Sequence, residues 1–196
     1  MKNTIDSIRR FYPTSDQSIK ELTDLFTEIK LPANHLFIEA GKMNNYLYFI
    51  EKGLCRSYCI VDDKEVTTWF SREGDITFAL LTLYRNKSGF EYVETLEPTT
   101  MYAINIDDLN QLYTTNIEIA NWSRIAHQEC VLSLQIRRIE RLQKSAKARY
   151  EILLEEQSDL FSRVKLGYLA SYLGMTPQHL SKMRADTSSN DINPIF

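Results

Sequence analysis

Glycine and proline are scarce in this chain, six and five residues in 196, and that scarcity excludes collagen-like and low-complexity architectures. No apolar run approaches the ~20 residues that a membrane helix needs, so no membrane partner is expected. The opening segment, Met1-Lys-Asn-Thr-Ile-Asp, lacks the apolar stretch of a secretory signal. Three unevenly placed cysteines do not make a disulfide framework, and a reduced, cytoplasmic protein is the expectation. Basic residues are not in excess either: 23 Lys and Arg stand against 26 Asp and Glu, for a net charge of −3. A globally basic nucleic-acid binder is thereby excluded, whereas a locally basic face is not. What remains is ordinary for a globular chain, 43% apolar and 25% charged, long enough for one large domain or two small ones with a real core.

Periodicity divides the chain into three stretches. Residues 1–30 predict two helices, with Ile5 and Ile8 in the first and Ile19, Leu22, Leu25, Phe26 and Ile29 in the second. Pro13 separates them, Ser15 or Asp16 supplies the second N-cap, and Leu31-Pro32 ends the segment. Residues 33–104 predict short strands at Leu36–Ile38, Tyr46–Ile50, Leu54–Val61, Glu65–Phe70, Phe90–Leu96 and Met101–Ile104. Turn residues bound most of them, among them Gly41, Lys52-Gly53, Asp62-Asp63, Glu73-Gly74-Asp75 and Glu97-Pro98. Such a series of short strands predicts a sandwich or barrel.

From Asn105 the helical period returns. Asn105 caps a short helix containing Leu109, Leu112 and Tyr113, and a long helix is predicted from about Ile117 to Gln143. Ile125, Leu132, Ile136 and Ile139 form one apolar stripe at coiled-coil spacing, while Trp122, Ala126, Cys130 and Leu134 form a second. Two stripes need two surfaces. The second is read as packing on the strand domain and the first as pairing with a second copy of the same helix. Burial of the whole helix inside a monomer is the alternative. The charges of Ile136-Arg-Arg-Ile-Glu-Arg141 flank the first stripe as in coiled coils, which favours the homodimer.

The sharpest motif runs from Val164 to Arg184. A first short helix buries Leu166, Leu169, Ala170 and Leu173, with small Ala170 where another helix crosses closely. Gly174 falls where the turn needs positive φ. Thr176 supplies an N-cap hydroxyl and Pro177 occupies the first helical position, where its missing N–H is harmless. Leu180 and Met183 face inward, and Gln178, His179, Ser181, Lys182 and Arg184 face outward. This is a helix-turn-helix pattern, and those outward side chains suit base edges and phosphates. Residues 1–142 carry 16 basic and 20 acidic residues, whereas residues 161–186 carry Arg163, Lys165, Lys182 and Arg184 against Asp186 alone. An acidic body with a basic reading head fits a specific binder of double-stranded DNA. A further basic group, Arg137, Arg138, Arg141, Lys144, Lys147 and Arg149, is read as a solvated helix face rather than as a DNA contact.

Tyr48-Phe-Ile-Glu-Lys-Gly-Leu54, Gly74-Asp75 and Ala170-Ser-Tyr-Leu-Gly-Met-Thr176 resemble segments of the Crp/Fnr family of bacterial transcription regulators, most nearly its branch in Bacteroidetes. The resemblance spans roughly residues 5–186. It implies an α+β fold: an N-terminal antiparallel, jelly-roll-like β-roll flanked by helices (1–116), a long dimerisation helix (117–143) and a C-terminal helix-turn-helix domain (144–196). It further implies a homodimer through Ile125, Leu132, Ile136 and Ile139 on a palindromic operator. Thr176, Gln178, His179, Ser181, Lys182 and Arg184 are the expected DNA-binding residues, and a contact with RNA polymerase is among the expected partners.

Three departures qualify the resemblance. Nucleotide-binding members carry a Gly-Glu pair for the ribose hydroxyl and, about ten residues on, an Arg-Ser or Arg-Ala pair for the phosphate. Here Phe78-Ala79 and Gly89-Phe90 stand in those places. Burying a phosphate without its cation is costly, so cAMP and cGMP are not expected ligands. Phe78, Tyr84, Arg85, Phe90 and Tyr92 are instead the candidate lining of a pocket for an unknown small-molecule effector, with ordinary core packing as the alternative for the aromatic ones. Oxygen sensors of the family hold an iron–sulfur cluster through clustered N-terminal cysteines, whereas the first cysteine here is Cys55. Cys55 and Cys59 are read as small core residues. His35, His127 and His179 are scattered, so no metal or other cofactor is expected, and no enzyme of the cupin type. Finally, Ala185–Phe196 is short and polar where the family has a β-hairpin wing, so the wing is expected to be short or absent. The leading function is a sequence-specific DNA-binding transcription regulator. The alternative is an effector-binding module acting through protein contacts, its helix-turn-helix vestigial.

Overall fold

The computed structural model describes residues 1–190, with side chains through 185. The chain opens with α1 (Lys2–Phe11) and α2 (Asp16–Thr23). Ser15 caps α2, its hydroxyl accepting from Ser18 N. Strands β1 (Thr27–Leu31), β2 (Leu36–Ile38), β3 (Tyr46–Lys52), β4 (Cys55–Val61), β5 (Lys64–Ser71) and β6 (Ile76–Phe78) follow, then α3 (Leu80–Arg85), β7 (Tyr92–Thr95) and β8 (Thr99–Asn105). They form two four-stranded sheets of order β1-β8-β3-β6 and β2-β7-β4-β5.

The helical reading of residues 1–30 fails at its end. Residues 27–31 are strand β1, paired with β8 from Thr27↔Ala103 to Leu31↔Thr99. Phe26 and Ile29 sit at helical spacing, but Ile29 and Leu31 alternate as a strand does, and an available edge on β8 settles the choice. The sequence also left β6 and α3 unread, because three strand residues are too few to show a period.

Alternation along β3 sorts its side chains onto two cores. Tyr48 and Ile50 point between the sheets, where they meet Ile38, Cys55, Val93 and Met101 from both layers. Leu47 and Phe49 point to the outer face, packed with Ile8, Leu22, Leu109, Ile119 and Trp122. Gly53 turns the chain from β3 into β4 at φ +109°, and a Cβ there would lie 2.8 Å from Thr99 Cα, so backbone conformation and space both demand glycine.

Helix α4 (Ile106–Thr115) is capped by Asn105, whose side chain accepts from Asp107 N at 2.8 Å. Helix α5 spans Ile117–Gln143, matching the expected bounds, and begins where Asn116 Oδ1 accepts from Glu118 N and Ile119 N, each at 3.1 Å. The remaining helices are α6 (Ala146–Glu156), α7 (Leu160–Arg163), α8 (Leu166–Leu173) and α9 (Pro177–Asn190). Helix α9 thus carries on past Ala185, where a polar tail was expected, because a nucleated helix propagates until a breaker stops it. Residues 191–196, the rest of the segment on which the short or absent wing was read, lie outside the described residues.

The chain divides into two compact units. Residues 1–59 and 68–133 form the first; residues 60–67 and 134 onward form the second. The boundary therefore falls inside α5, between Ser133 and Leu134, and the tip of the β4–β5 hairpin belongs with the helices of the second unit. That unit has its own core of Tyr150, Leu153, Leu160, Leu169, Ala170, Leu173 and Leu180.

Candidate functional site: a nucleic-acid interface and a sensor cavity

Helices α8 and α9 join through the turn that the sequence predicts. Gly174 takes φ +68°, Met175 N donates to Ala170 O at 3.0 Å and Gly174 N to Ser171 O at 3.1 Å, the double closure that ends a helix on a left-handed residue. Thr176 then caps α9, its hydroxyl accepting from His179 N at 3.2 Å. Leu180 is fully buried and Met183 nearly so, which fixes the rotation of α9 and leaves Gln178, His179, Ser181, Lys182 and Arg184 exposed. Gln178, Ser181, Lys182 and Ala185 border one shallow concavity with Leu166 and Pro177. Among the basic residues counted from residue 161, Arg163 is held by Asp159 at 3.2 Å, an acid just outside that window. Lys165 lies over the ring of Tyr168. Lys182 and Arg184 lie on α9 itself, both exposed.

The basic group from Arg137 to Arg149 is not merely a solvated face. The Arg149 guanidinium donates to Leu173 O from Nε at 3.2 Å and from Nη2 at 3.1 Å, and to Lys144 O from Nη1 at 2.8 Å. Arg141 Nη2 donates to Tyr172 O at 2.7 Å, and Arg137 stacks over the Tyr172 ring at 5.4 Å. Two guanidinium groups thus satisfy the orphan carbonyls that close α8, where the helix dipole favours positive charge. On the same helix, Ser171 Oγ accepts from Thr67 N at 2.9 Å and donates to Glu65 O at 3.2 Å. These positioning residues escaped the sequence reading, because each acts across tens of residues and only its basic or small polar character shows locally.

In the first unit, the segment from Ala79 to Glu91 closes on a carboxylate of its own. Ala79 is buried in the core between the sheets and precedes α3, whose first amide, Leu80 N, donates to Glu91 Oε1. Phe90 N donates to Glu91 Oε2 at 3.2 Å. An internal carboxylate therefore occupies the start of this short helix, where an anion is favoured. Gly89 makes room for it, since a Cβ there would lie 2.6 Å from Glu91 Oε2.

The effector-pocket residues divide. Phe78 and Tyr84 meet edge to face at 6.0 Å, and both line a cavity of about 320 Å³. Arg85, Phe90 and Tyr92 do not: Arg85 and Phe90 are exposed, and Tyr92 stacks on Tyr58 at 5.1 Å across the β4–β7 pair. The cavity is completed instead by α1 and by Trp122, Ala126, His127 and Cys130 of α5. Trp122, Ala126 and Cys130 belong to the stripe expected to pack on the strands; its fourth member, Leu134, falls in the second unit and is 51% exposed. Asp75 lies in the cavity wall, where burial pushes its carboxyl above the usual range. Burial raises the Cys55 thiol to about 12, so it stays protonated and unreactive at neutral pH.

Residues 28–116 match the family model of the cyclic nucleotide-binding domain. No curated protein sequence matches the chain significantly. Among solved structures the chain is similar to FixK2 from Bradyrhizobium japonicum, with a TM-score of 0.71 and 18% identity over 87% of this chain and 88% of that one. It is similar to CLP of Xanthomonas campestris, described as a c-di-GMP-responsive global regulator, with a TM-score of 0.73 and 14% identity over 93% of this chain and 96% of that one. A variant of CooA from Carboxydothermus hydrogenoformans aligns with a TM-score of 0.67 and 19% identity over 92% of this chain and 87% of that one. At these identities the likeness is one of fold: a β-roll, a long helix and a terminal helix-turn-helix.

Proposed function

We propose, for a chain whose residues 28–116 match the cyclic nucleotide-binding domain and most of whose length has the fold of a Eubacterium rectale protein assigned to the Crp/Fnr family of transcriptional regulators, that it is a homodimeric, sequence-specific DNA-binding transcription regulator whose sensor no longer takes a cyclic nucleotide. It acts by binding, not by catalysis. The observation that carries this is the α8–turn–α9 pair, with Leu180 and Met183 buried while Gln178, Ser181 and Lys182 stay exposed on one face. A helix so presented lies in the major groove with its first residues toward base edges. Gln178 is in the first turn, where its amide pairs bidentately with adenine. Lys182 and Arg184 lie further along, toward phosphates or guanine.

Two variants separate reading from anchoring. Gln178→Ala weakens the preferred operator by about 10–100-fold and relaxes specificity at one position. Lys182→Ala weakens all sequences alike and lowers the salt slope by about one. Mobility shifts over a salt series check both. A double variant with unchanged affinity and slope would mean that α9 is only the outer side of a small helix.

The sensor half has its own test. Without the glutamate and arginine anchors, and with Glu91 seated at the start of α3, calorimetry with cAMP shows no saturable heat up to high micromolar concentrations. A sub-micromolar isotherm refutes this reading of the loop.

A further inference from the structure

The phosphate anchors are gone, yet the first unit keeps a cavity elsewhere, on the outer face of one sheet. We propose that this cavity binds a small, neutral aromatic molecule carrying one hydroxyl or N–H group, and that such a molecule is the effector; the second half of the claim rests on the regulator reading above.

The position follows from strand alternation. Leu47, Ile76 and Phe78 line the cavity and pack on the outer cluster, whereas Tyr48, Ile50 and Ala79 fill the space between the sheets. The interior of the roll is therefore occupied by its own side chains, and the cavity lies beyond them, against α1 and α5. Its volume, about 320 Å³, is at the lower end of the range for small-ligand sites.

The chemistry of the wall selects the ligand. Phe11, Trp69, Phe78, Tyr84, Tyr113 and Trp122 all contribute, so flat rings find faces and edges to pack on. The polar groups are few and most are spent. Tyr113 Oη donates to Ser123 Oγ at 2.8 Å. His127 Nδ1 lies 2.7 Å from Ser123 O, a distance that makes it the donor. In the neutral ring, Nε2 is then an acceptor, and no hydrogen bond to it forms among the described residues. The buried indole N–H of Trp122 also lacks an acceptor. A ligand hydroxyl or N–H gives Nε2 the donor it lacks, and a hydroxyl also offers the indole an acceptor; buried polar groups left without partners are costly. Asp75 and Glu129 border the cavity against the single cation Arg10, so an anionic ligand is disfavoured.

Calorimetric titration of the full chain with 2-naphthol, without DNA, tests the site. Saturable binding is expected with a dissociation constant on the order of 10–100 μM, the affinity that about 11 heavy atoms supply at good efficiency. 2-Naphthoate, with the same rings and a charge, binds at least about 10-fold more weakly. Ala126→Met fills the cavity and abolishes binding. His127→Phe keeps the ring but removes Nε2 and weakens binding about 10-fold, so the test survives if the first variant fails to fold. No saturable heat from 2-naphthol, equal affinity for the naphthoate, or unchanged affinity in folded Ala126→Met or in His127→Phe overturns the site. Operator affinity is then measured with and without 2-naphthol. A change of about threefold or more is expected, and none overturns the effector claim while leaving the site and the DNA reading intact.

Discussion

Replacing Leu132 by glutamate leaves the protein monomeric in light scattering and weakens its hold on a palindromic operator by about 1,000-fold. Along α5 the apolar side chains divide by surroundings. Trp122 is buried and Ala126 packs beside it on the outer core. Leu132, Ile136 and Ile139 are each about half exposed, at 53%, 48% and 49%, and Ile125 is half-buried. A helix that leaves a regular aliphatic row uncovered has an unmet surface. A twofold axis covers it most economically, because one row then serves both copies. In such an interface a single substitution places two uncompensated carboxylates, each costing several kcal/mol; even about 4 kcal/mol in total is a 1,000-fold loss. Leu132→Ile keeps volume and polarity and leaves the dimer intact. A Leu132→Glu protein that remains dimeric at unchanged concentration dependence sinks the assignment of this row.

Arg149→Ala abolishes operator binding although Arg149 lies on α6, outside the α8–α9 pair. Its guanidinium joins the last carbonyl of α8, Leu173 O, to Lys144 O just after α5. Charge-assisted bonds of this kind contribute about 1.5–3 kcal/mol each when buried. Arg149 is partly exposed, so the set is discounted to about 2 kcal/mol. In a domain of this size that lowers the melting temperature by roughly 8–16 °C. Losing the clamp lets the end of α8 fray, and the start of α9 follows it through the turn at Gly174. Arg149→Lys does not rescue, since one ammonium cannot reproduce a planar fork with separate acceptors. Scanning calorimetry and mobility shifts together check this; an unchanged melting temperature with unchanged operator affinity removes Arg149 from the argument.

The legibility of these elements was uneven for physical reasons. Helix α5 was readable to its ends because its length shows many turns of a helical period. The α8–α9 turn was readable because Gly174, Thr176 and Pro177 each act within a few residues of themselves. Strand β1 was misread because its five residues satisfy two periods at once. Of the five candidate pocket residues, Phe78 and Tyr84 meet at the cavity, whereas Arg85, Phe90 and Tyr92 follow the backbone away from it.

What the amino-acid sequence determined by itself is therefore what acts locally: which stretches alternate, which spiral, where α9 begins and which of its side chains face out. It also carried the expectation, from Phe78-Ala79 and Gly89-Phe90, of a sensor without phosphate anchors. Only the tertiary structure decided that Glu91 seats itself at Leu80 N, that Arg149 closes α8, and that the aromatic residues of α1, β6 and α5 enclose a cavity. Each of these joins groups from separate elements, brought together by the packing of helices on sheet or helix on helix. Local periodicity reports the direction a side chain leaves its own backbone, and it carries no information on what will be waiting there.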